Sequence, residues 1–286
     1  MTVSGPAPVL RVGRIAALNM YPLYHHLELA GGPEFAFTDG VPTTLNRALI
    51  SGQLDVSAMS SIEFARHSAE LELVPVACIS ASGAVDSILV FSRVPFAEIA
   101  SVAVTPHSAT SVALLRVLLG PEPEFVPLAG PPPHALTESD AVLLIGDEAL
   151  EGGRAPFAPY ATDLGERWRA RTGLPMVFAV WAARADLAPA QGEILADLRQ
   201  LLTDAQEQYA CDPEAVVRAA ARRFPFPEDF IAAYFRRLGY GFGATERQGL
   251  KEFLRLARDA GQLAQVPELL AAEARRPTRV RTTISP

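Results

Sequence analysis

Two strand-to-helix junctions rich in hydroxyl groups constrain this chain more than any other feature. In one, the apolar run Leu54-Asp55-Val56-Ser57-Ala58 leads into Met59-Ser60-Ser61-Ile62-Glu63. In the other, Val102-Ala103-Val104-Thr105-Pro106 leads into Ser108-Ala109-Thr110-Ser111. Each reads as a strand end, a capping residue and then a helix. Such a junction gathers unpaired backbone N–H groups and side-chain hydroxyls at one point. The helix dipole adds partial positive charge there, so a carboxylate or phosphate can be held without a lysine. Two junctions predict a ligand with two anionic ends.

The rest of the chain supplies a frame for them. Val9 to Leu18 reads as a first strand ending at Asn19, and Pro42-Thr43 opens a helix stopped by Gly52. Ser61 to Ala69 reads as a helix, and Leu73 to Ser80 and Val85 to Phe91 as strands. Val102–Thr105, Phe125–Leu128 and Ala141–Ile145 read as strands around a helix from Ala109 to Leu119. A helix over Leu164–Arg171 and a strand over Met176–Ala183 follow. From Pro189 the apolar residues keep a 3.6-residue period. Further helices are predicted near 213–222, 227–236 and 245–260, then a loosely ordered basic tail from Arg275 to Arg281.

Alternating strands and helices predict an α/β fold with mostly parallel sheet. The simplest arrangement has two lobes. Residues 1–93 and 181–286 form the first, and 94–180 form a second inserted into it. The chain then crosses at Phe91-Ser92-Arg93 and Val180-Trp181-Ala182, which act as a hinge. Ligands in such folds bind outside the carboxyl ends of the strands, where both junctions lie.

Charge narrows the partners. The net charge is −7 and Lys251 is the only lysine, which disfavours nucleic acid and anionic membranes, since both require basic patches. A small anion then depends on arginines or helix ends for its positive field. Cys78 and Cys211 share no CxxC spacing, so neither a disulfide scaffold nor a metal site is expected. No cofactor is expected either. The start of the chain lacks a basic segment and a long apolar stretch, so the expected location is cytoplasmic.

Several residues are candidates for chemistry. Asn19, at a strand end, can donate and accept hydrogen bonds in a cleft, or simply cap a turn before Pro22. Ser60, Ser61, Ser108, Thr110 and Ser111 can bind an anion or cap helices. Glu63 stands where a capping box with Ser60 places it. Gly83 permits a tight turn or a close backbone approach, and Ser87 starts a strand where a hydroxyl can face a ligand. Asp147 is a candidate base or a helix cap, and His107 is the best-placed histidine. No GxGxxG, Walker loop, GxSxG or HExxH occurs in the chain.

At these residues the chain resembles the chorismate dehydratases of the futalosine route to menaquinone. The matching stretches include Leu18-Asn19…Pro22-Leu23, Gly52-Gln53-Leu54-Asp55-Val56 and Ser60-Ser61-Ile62-Glu63-Phe64. They continue with Gly83-Ala84-Val85-Asp86-Ser87, Ser108-Ala109-Thr110-Ser111, Gly146-Asp147-Glu148 and Thr172-Gly173-Leu174-Pro175-Met176. The resemblance spans roughly residues 11–184. It implies a fold like type II periplasmic binding proteins and loss of water from chorismate, a dicarboxylate, to give 3-[(1-carboxyvinyl)oxy]benzoate. On it, the two junctions take the carboxylates with Ser87 assisting, and Asn19 bonds the leaving hydroxyl or the reacting ring edge. The base stays open between Asp147, His107 and the substrate's own side-chain carboxylate. The alternatives are the 1,4-dihydroxy-6-naphthoate synthase of the same route, whose opening motif this chain lacks, and a non-catalytic binder or sensor of a small dicarboxylate.

Overall fold

The protein is described by a computed structural model covering residues 8–268. Strand β1 (Leu10–Ile15) is shorter than expected, because Leu18–Met20 winds into a 3-10 turn that carries Asn19. Helix α1 (Tyr21–Ala30) follows at once, with Pro22 in its first turn, where a missing N–H removes no intrahelical bond. Strand β2 (Phe35–Gly40) lies at a sheet edge and exposes Thr38 and Asp39. Helix α2 (Pro42–Ile50) runs until just before Gly52, which takes φ 75°.

The first hydroxyl-rich junction joins β3 (Val56–Ser60) to α3 (Ser61–Arg66). Strands β4 (Leu71–Ala81) and β5 (Ile88–Ser92) follow, the second wholly buried. The second junction joins β6 (Ser101–Val104) to α4 (Ala109–Leu119), the helix bounds matching the expectation. Then come β7 (Glu124–Pro127), α5 (Pro132–Ala135), β8 (Ala141–Ile145) and α6 (Gly146–Arg154). Strand β9 (Tyr160–Asp163), α7 (Leu164–Thr172) and β10 (Met176–Arg184) complete the α/β part. The C-terminal part contains α8 (Pro189–Cys211), α9 (Pro213–Ala221), α10 (Glu228–Phe235), β11 (Leu238–Gly241) and α11 (Ala244–Asp259). The tail at 275–281 lies outside the described residues.

The strands form two sheets, ordered β11-β4-β10-β3-β1-β2 and β7-β6-β8-β5-β9. The expectation of mostly parallel sheet is corrected here. Parallel pairing holds for β1 with β2 and β3, and for β6 with β7 and β8. Strand β10 runs antiparallel to β3 and β4, and β5 antiparallel to β8 and β9. The registers give the reason. Met176, at the start of β10, pairs with Ala81 at the end of β4, and Ile88, at the start of β5, pairs with Ile145 at the end of β8. The chain thus leaves and re-enters the sheets at the ends where β3, β4 and β8 finish, so each entering strand runs against its neighbours.

Those registers also move the expected crossings. The segments 91–93 and 180–182 were expected as the crossings, but β5 belongs wholly to the five-stranded sheet and β10 wholly to the six-stranded one. The chain changes sheet at 82–87 and again at 173–175.

One large apolar cluster spans both sheets and the C-terminal helices. Within it, Trp168 of α7 meets Phe253 of α11 edge to face, with centroids 6.1 Å apart. Helix α11 also packs on β10, α3 and α4, and α8 packs on α1 and β4. The C-terminal helices therefore brace the strands from behind and leave the strand ends free to form a cleft. Among the described residues no helix is long and apolar enough to cross a membrane.

Candidate functional site

The strand ends converge on a cavity of about 130 Å³. Asn19, Ser60, Ser87, Ser108 and Ser111 supply its polar side chains. Ile15, Met20, Ile79, Ile145 and Phe178 supply much of its apolar wall. Four helix starts contribute to the lining: Pro42 begins α2, Ser60 directly precedes α3, Ser108 caps α4 and Gly146 begins α6. The positive field anticipated from arginines or helix ends thus comes from helix ends. Among the described residues, the lining contains no Asp, Glu, His, Lys or Arg. A wider groove of 760 Å³ between Phe96 and Arg171 lies away from these strand ends.

The two junctions are joined to each other. The Thr110 hydroxyl accepts the backbone N–H of Ile62 at 3.3 Å. Thr110 is buried and is absent from the lining, as is Ser61, whose hydroxyl donates to the Val177 carbonyl at 2.7 Å. The expected anion-binding roles of Ser61 and Thr110 are therefore corrected: one turn of helix rotates each into the protein, where it ties α3 to β10 and to α4. Ser108 and Ser111 do line the cavity. The Ser108 hydroxyl accepts the Ser111 N–H at 3.2 Å as a helix cap and donates to the Ser111 hydroxyl at 2.8 Å. Ser60 makes no capping bond, and Glu63 pairs with Arg66 at 2.6 Å instead of closing a capping box. The Ser60 hydroxyl is thus left for the cavity.

Asn19 has the most pointed geometry. Its Oδ1 is buried and has no hydrogen-bond partner, while the residue lines the cavity. A buried amide oxygen without a partner costs about 1–3 kcal/mol, a cost that a bound ligand removes. Ser87 is nearly fully buried and holds the start of β5, its carbonyl accepting the Gly146 N–H at 2.8 Å.

Three further candidates lie outside the lining. Gly83 packs on the start of α7: a Cβ at Gly165 would sit 2.5 Å from the Gly83 carbonyl oxygen. A Cβ at Gly83 itself would meet nothing within 4 Å, so the close approach belongs to Gly165, and Gly83 stands outside the cavity rather than among the substrate-binding residues where it was expected. His107 is exposed and its N–H donates to the Thr105 hydroxyl. Asp147 sits in the first turn of α6, where its carboxylate accepts the Leu18 N–H at 3.4 Å. Burial pushes its carboxyl above the usual range, the Leu18 bond partly offsets this, and Glu151 adds to it.

The wall beside the 82–87 crossing is held by Asp163. One carboxylate oxygen caps α7 by accepting from Gly165 and Glu166, and the other accepts the N–H groups of Val85 and Asp86. Asp86 adopts φ 58°, unusual for a residue with a Cβ, and pairs with Arg237 at 2.7 Å.

Sequence reasoning missed the apolar walls and Tyr234. Tyr234 of α10 is fully buried with its hydroxyl lacking a hydrogen bond of standard geometry, and Ser87 is its polar neighbour. Burial pushes the phenol far up, and Ser87 draws it back in part. No local signal marks Tyr234, because its contact with Ser87 spans about half the chain.

Residues 10–259 match a protein family described as menaquinone biosynthesis. A chorismate dehydratase of Thermus thermophilus is 35% identical over 253 residues, 82% of this chain and 90% of that protein. A chorismate dehydratase of Campylobacter jejuni is 32% identical over 173 residues, 58% of this chain and 64% of that protein. Among solved structures, the periplasmic aliphatic sulphonate-binding protein of Escherichia coli superposes with a TM-score of 0.63 at 17% identity, over 93% of this chain and 96% of that one. A Candida albicans protein with the generic periplasmic binding protein fold gives 0.65 at 12% identity, over 92% and 93%. The fold is that of the periplasmic binding proteins.

Proposed function

Because the chain belongs to the menaquinone-biosynthesis family, we propose that it is a hydro-lyase removing water from chorismate to give 3-[(1-carboxyvinyl)oxy]benzoate. The observation that carries this reading is a cavity ringed by hydroxyls, one unpartnered amide oxygen and four helix starts, with no Asp, Glu, His, Lys or Arg among the described residues of its lining. Such a site binds a dianion through dipoles and hydrogen bonds.

Chorismate needs little more. The ring carbon bearing the enolpyruvyl ether loses its proton, and the adjacent carbon loses its hydroxyl. The electron pair of the broken C–H bond becomes the third ring double bond, so aromaticity drives the step. With His107 and Asp147 outside the lining, the enolpyruvyl carboxylate of the substrate is the base that fits. It takes the ring proton and passes it to the departing hydroxyl, which leaves as water.

The protein binds and orients. Ser60, Ser108 and Ser111, at the joined starts of α3 and α4, hold one carboxylate. Ser87 and the start of α6 face the other. The Asn19 amide hydrogen-bonds the leaving hydroxyl and orients it for departure. Segments 82–87 and 173–175 connect two lobes that close over the substrate. The reading places the enzyme in the cytoplasm.

The test is direct. Purified protein is mixed with chorismate and the product followed by mass. Protein-dependent loss of one water supports the dehydratase. Tight binding without conversion overturns it in favour of a binder or sensor.

A further inference from the structure

Asp147 lies beside the cavity without lining it. It is the second residue of α6, directly after Gly146, which lines the cavity and is tied to the Ser87 carbonyl. From there its Oδ1 accepts the N–H of Leu18, 129 positions earlier in the chain. Leu18 opens the 3-10 turn whose next residue is Asn19.

That turn has little to hold it. It is three residues long, and its cap, Ala17, supplies no side-chain bond. Its backbone is closed by the Met20 N–H on the Ala17 carbonyl and the Tyr21 N–H on the Leu18 carbonyl, and three-residue 3-10 turns are weak on their own. Leu18 and Met20 are buried on either side of Asn19, so a shift of the turn displaces the amide. The Asp147 bond is the tie to this turn that comes from the helix on the five-stranded sheet's side.

We propose that Asp147 is a positioning residue that docks the Leu18–Met20 turn against the start of α6 and so aims the Asn19 amide into the cavity. The proposal deepens the dehydratase reading and rests on it for the role of Asn19. A proton-accepting role fits less well, because the carboxylate accepts a backbone N–H and lies outside the lining. The bond also joins elements of the two sheets, so Asn19 is aligned when the walls stand together. Alignment of the key amide is thereby coupled to cleft closure.

The two roles separate by substitution. Asp147→Asn keeps an amide oxygen able to accept the Leu18 N–H, whereas Asp147→Ala removes it. Docking predicts that Asp147→Ala lowers kcat/KM for chorismate at least tenfold, mostly in kcat, and that Asp147→Asn recovers most of that loss. In the ligand-free protein, the Leu18 amide proton exchanges with solvent about tenfold faster in Asp147→Ala than in wild type and close to normally in Asp147→Asn. Amides of α8 serve as the folding control. Equal loss of turnover in both variants overturns the proposal in favour of a carboxylate acting as base. Unchanged Leu18 exchange in Asp147→Ala overturns it outright. The exchange experiment needs no turnover, so it decides the docking role even if wild-type protein fails to convert chorismate and the dehydratase reading falls.

Discussion

The Thr110 hydroxyl accepts the Ile62 N–H at 3.3 Å, joining the first turn of α4 to the first turn of α3. Two helix starts that the sequence shows as separate anion sites are thus one continuous rim. The bond occupies one of the orphan N–H groups of α3, and the hydroxyls of Ser60 and Ser111 are left to meet a ligand together, with Ser108 capping α4 beside them. Replacing Thr110 by Val keeps the side-chain volume and removes the acceptor. The buried Ile62 N–H then lacks a partner, at a cost of about 1–3 kcal/mol. Chemical denaturation of Thr110→Val checks this. In the enzyme assay, KM for chorismate rises more than kcat falls, since the rim and not the reacting atoms is disturbed.

Asn19 makes the opposite separation. Its buried Oδ1 has no partner in the free protein, so the native fold gains little from it. Asn19→Ala is expected to leave thermal stability within about 1 kcal/mol of wild type or to raise it. Turnover falls by about 10²-fold, the cost of misplacing the leaving hydroxyl that the Asn19 amide orients. Melting curves and kcat on the same preparation test both halves. Near-normal turnover in Asn19→Ala would remove the residue from the mechanism.

Tyr234 extends the site into the C-terminal helices. Its hydroxyl is buried, without a standard hydrogen bond, beside Ser87. When ligand draws the Ser87 hydroxyl inward, the phenol is placed to donate to the Ser87 oxygen. Tyr234→Phe is therefore expected to leave the fold intact and to raise KM about three- to tenfold, the worth of one hydrogen bond of about 1 kcal/mol. A double mutant with Ser87→Ala then shows no further loss. Full additivity of the two losses would place Tyr234 outside the site.

Much of the frame is legible in the chain, for physical reasons that also explain the gaps. Strands β3, β5 and β8 are short apolar runs because they are buried on both faces, and α4 is bounded by a serine cap and Gly120. Strands β2, β9 and β11 escape notice because they are four- to six-residue edge strands. Their stability comes from one neighbour each, so their sequences carry no strong pattern. At the site, hydroxyls at strand ends stand out, and Asn19, Ser60, Ser87, Ser108 and Ser111 do meet in one cavity. Which hydroxyl of a pair faces inward is hidden, since Ser60 and Ser61 differ by one backbone step and Thr110 and Ser111 by one helical rotation of about 100°. Tyr234 and the role of Asp147 arise from long-range packing that no local pattern encodes.

Gly165 offers a test of the crossing at 82–87. A Cβ there would lie 2.5 Å from the Gly83 carbonyl oxygen, and backbone cannot yield as a flexible side chain can. The same loop is held by the Asp163 carboxylate through Val85 and Asp86. Gly165→Ala therefore pushes the loop off α7, stretches those bonds and shifts Ser87 at the loop's end. A loss of about 1–3 kcal/mol in stability is expected, as for other overpacked sites, with weaker chorismate binding in the same variant. Gly83→Ala has open space around its Cβ and serves as the control.

The two cysteines give a pH-resolved check on the packing. Cys78 is buried and its thiol donates to the Gly241 carbonyl at 3.0 Å, while Cys211 is exposed. Burial pushes the Cys78 thiol up to about 12, with a small opposing pull from Ser80. In the native protein, one thiol per chain is expected to react with an aromatic disulfide reagent at pH 8, and the second only after denaturation. The sign for stability follows from linkage. The folded thiol ionises later than the unfolded one, so the unfolded state sheds its proton first as pH rises past 9, and stability falls there. At pH 10 the loss from this group is roughly 1 kcal/mol, and it is absent below the unfolded value. Cys78→Ala removes this slope. Its denaturation midpoints at pH 8 and pH 10 should lie closer together than those of wild type, and an unchanged gap would show that Cys78 is not sealed from solvent.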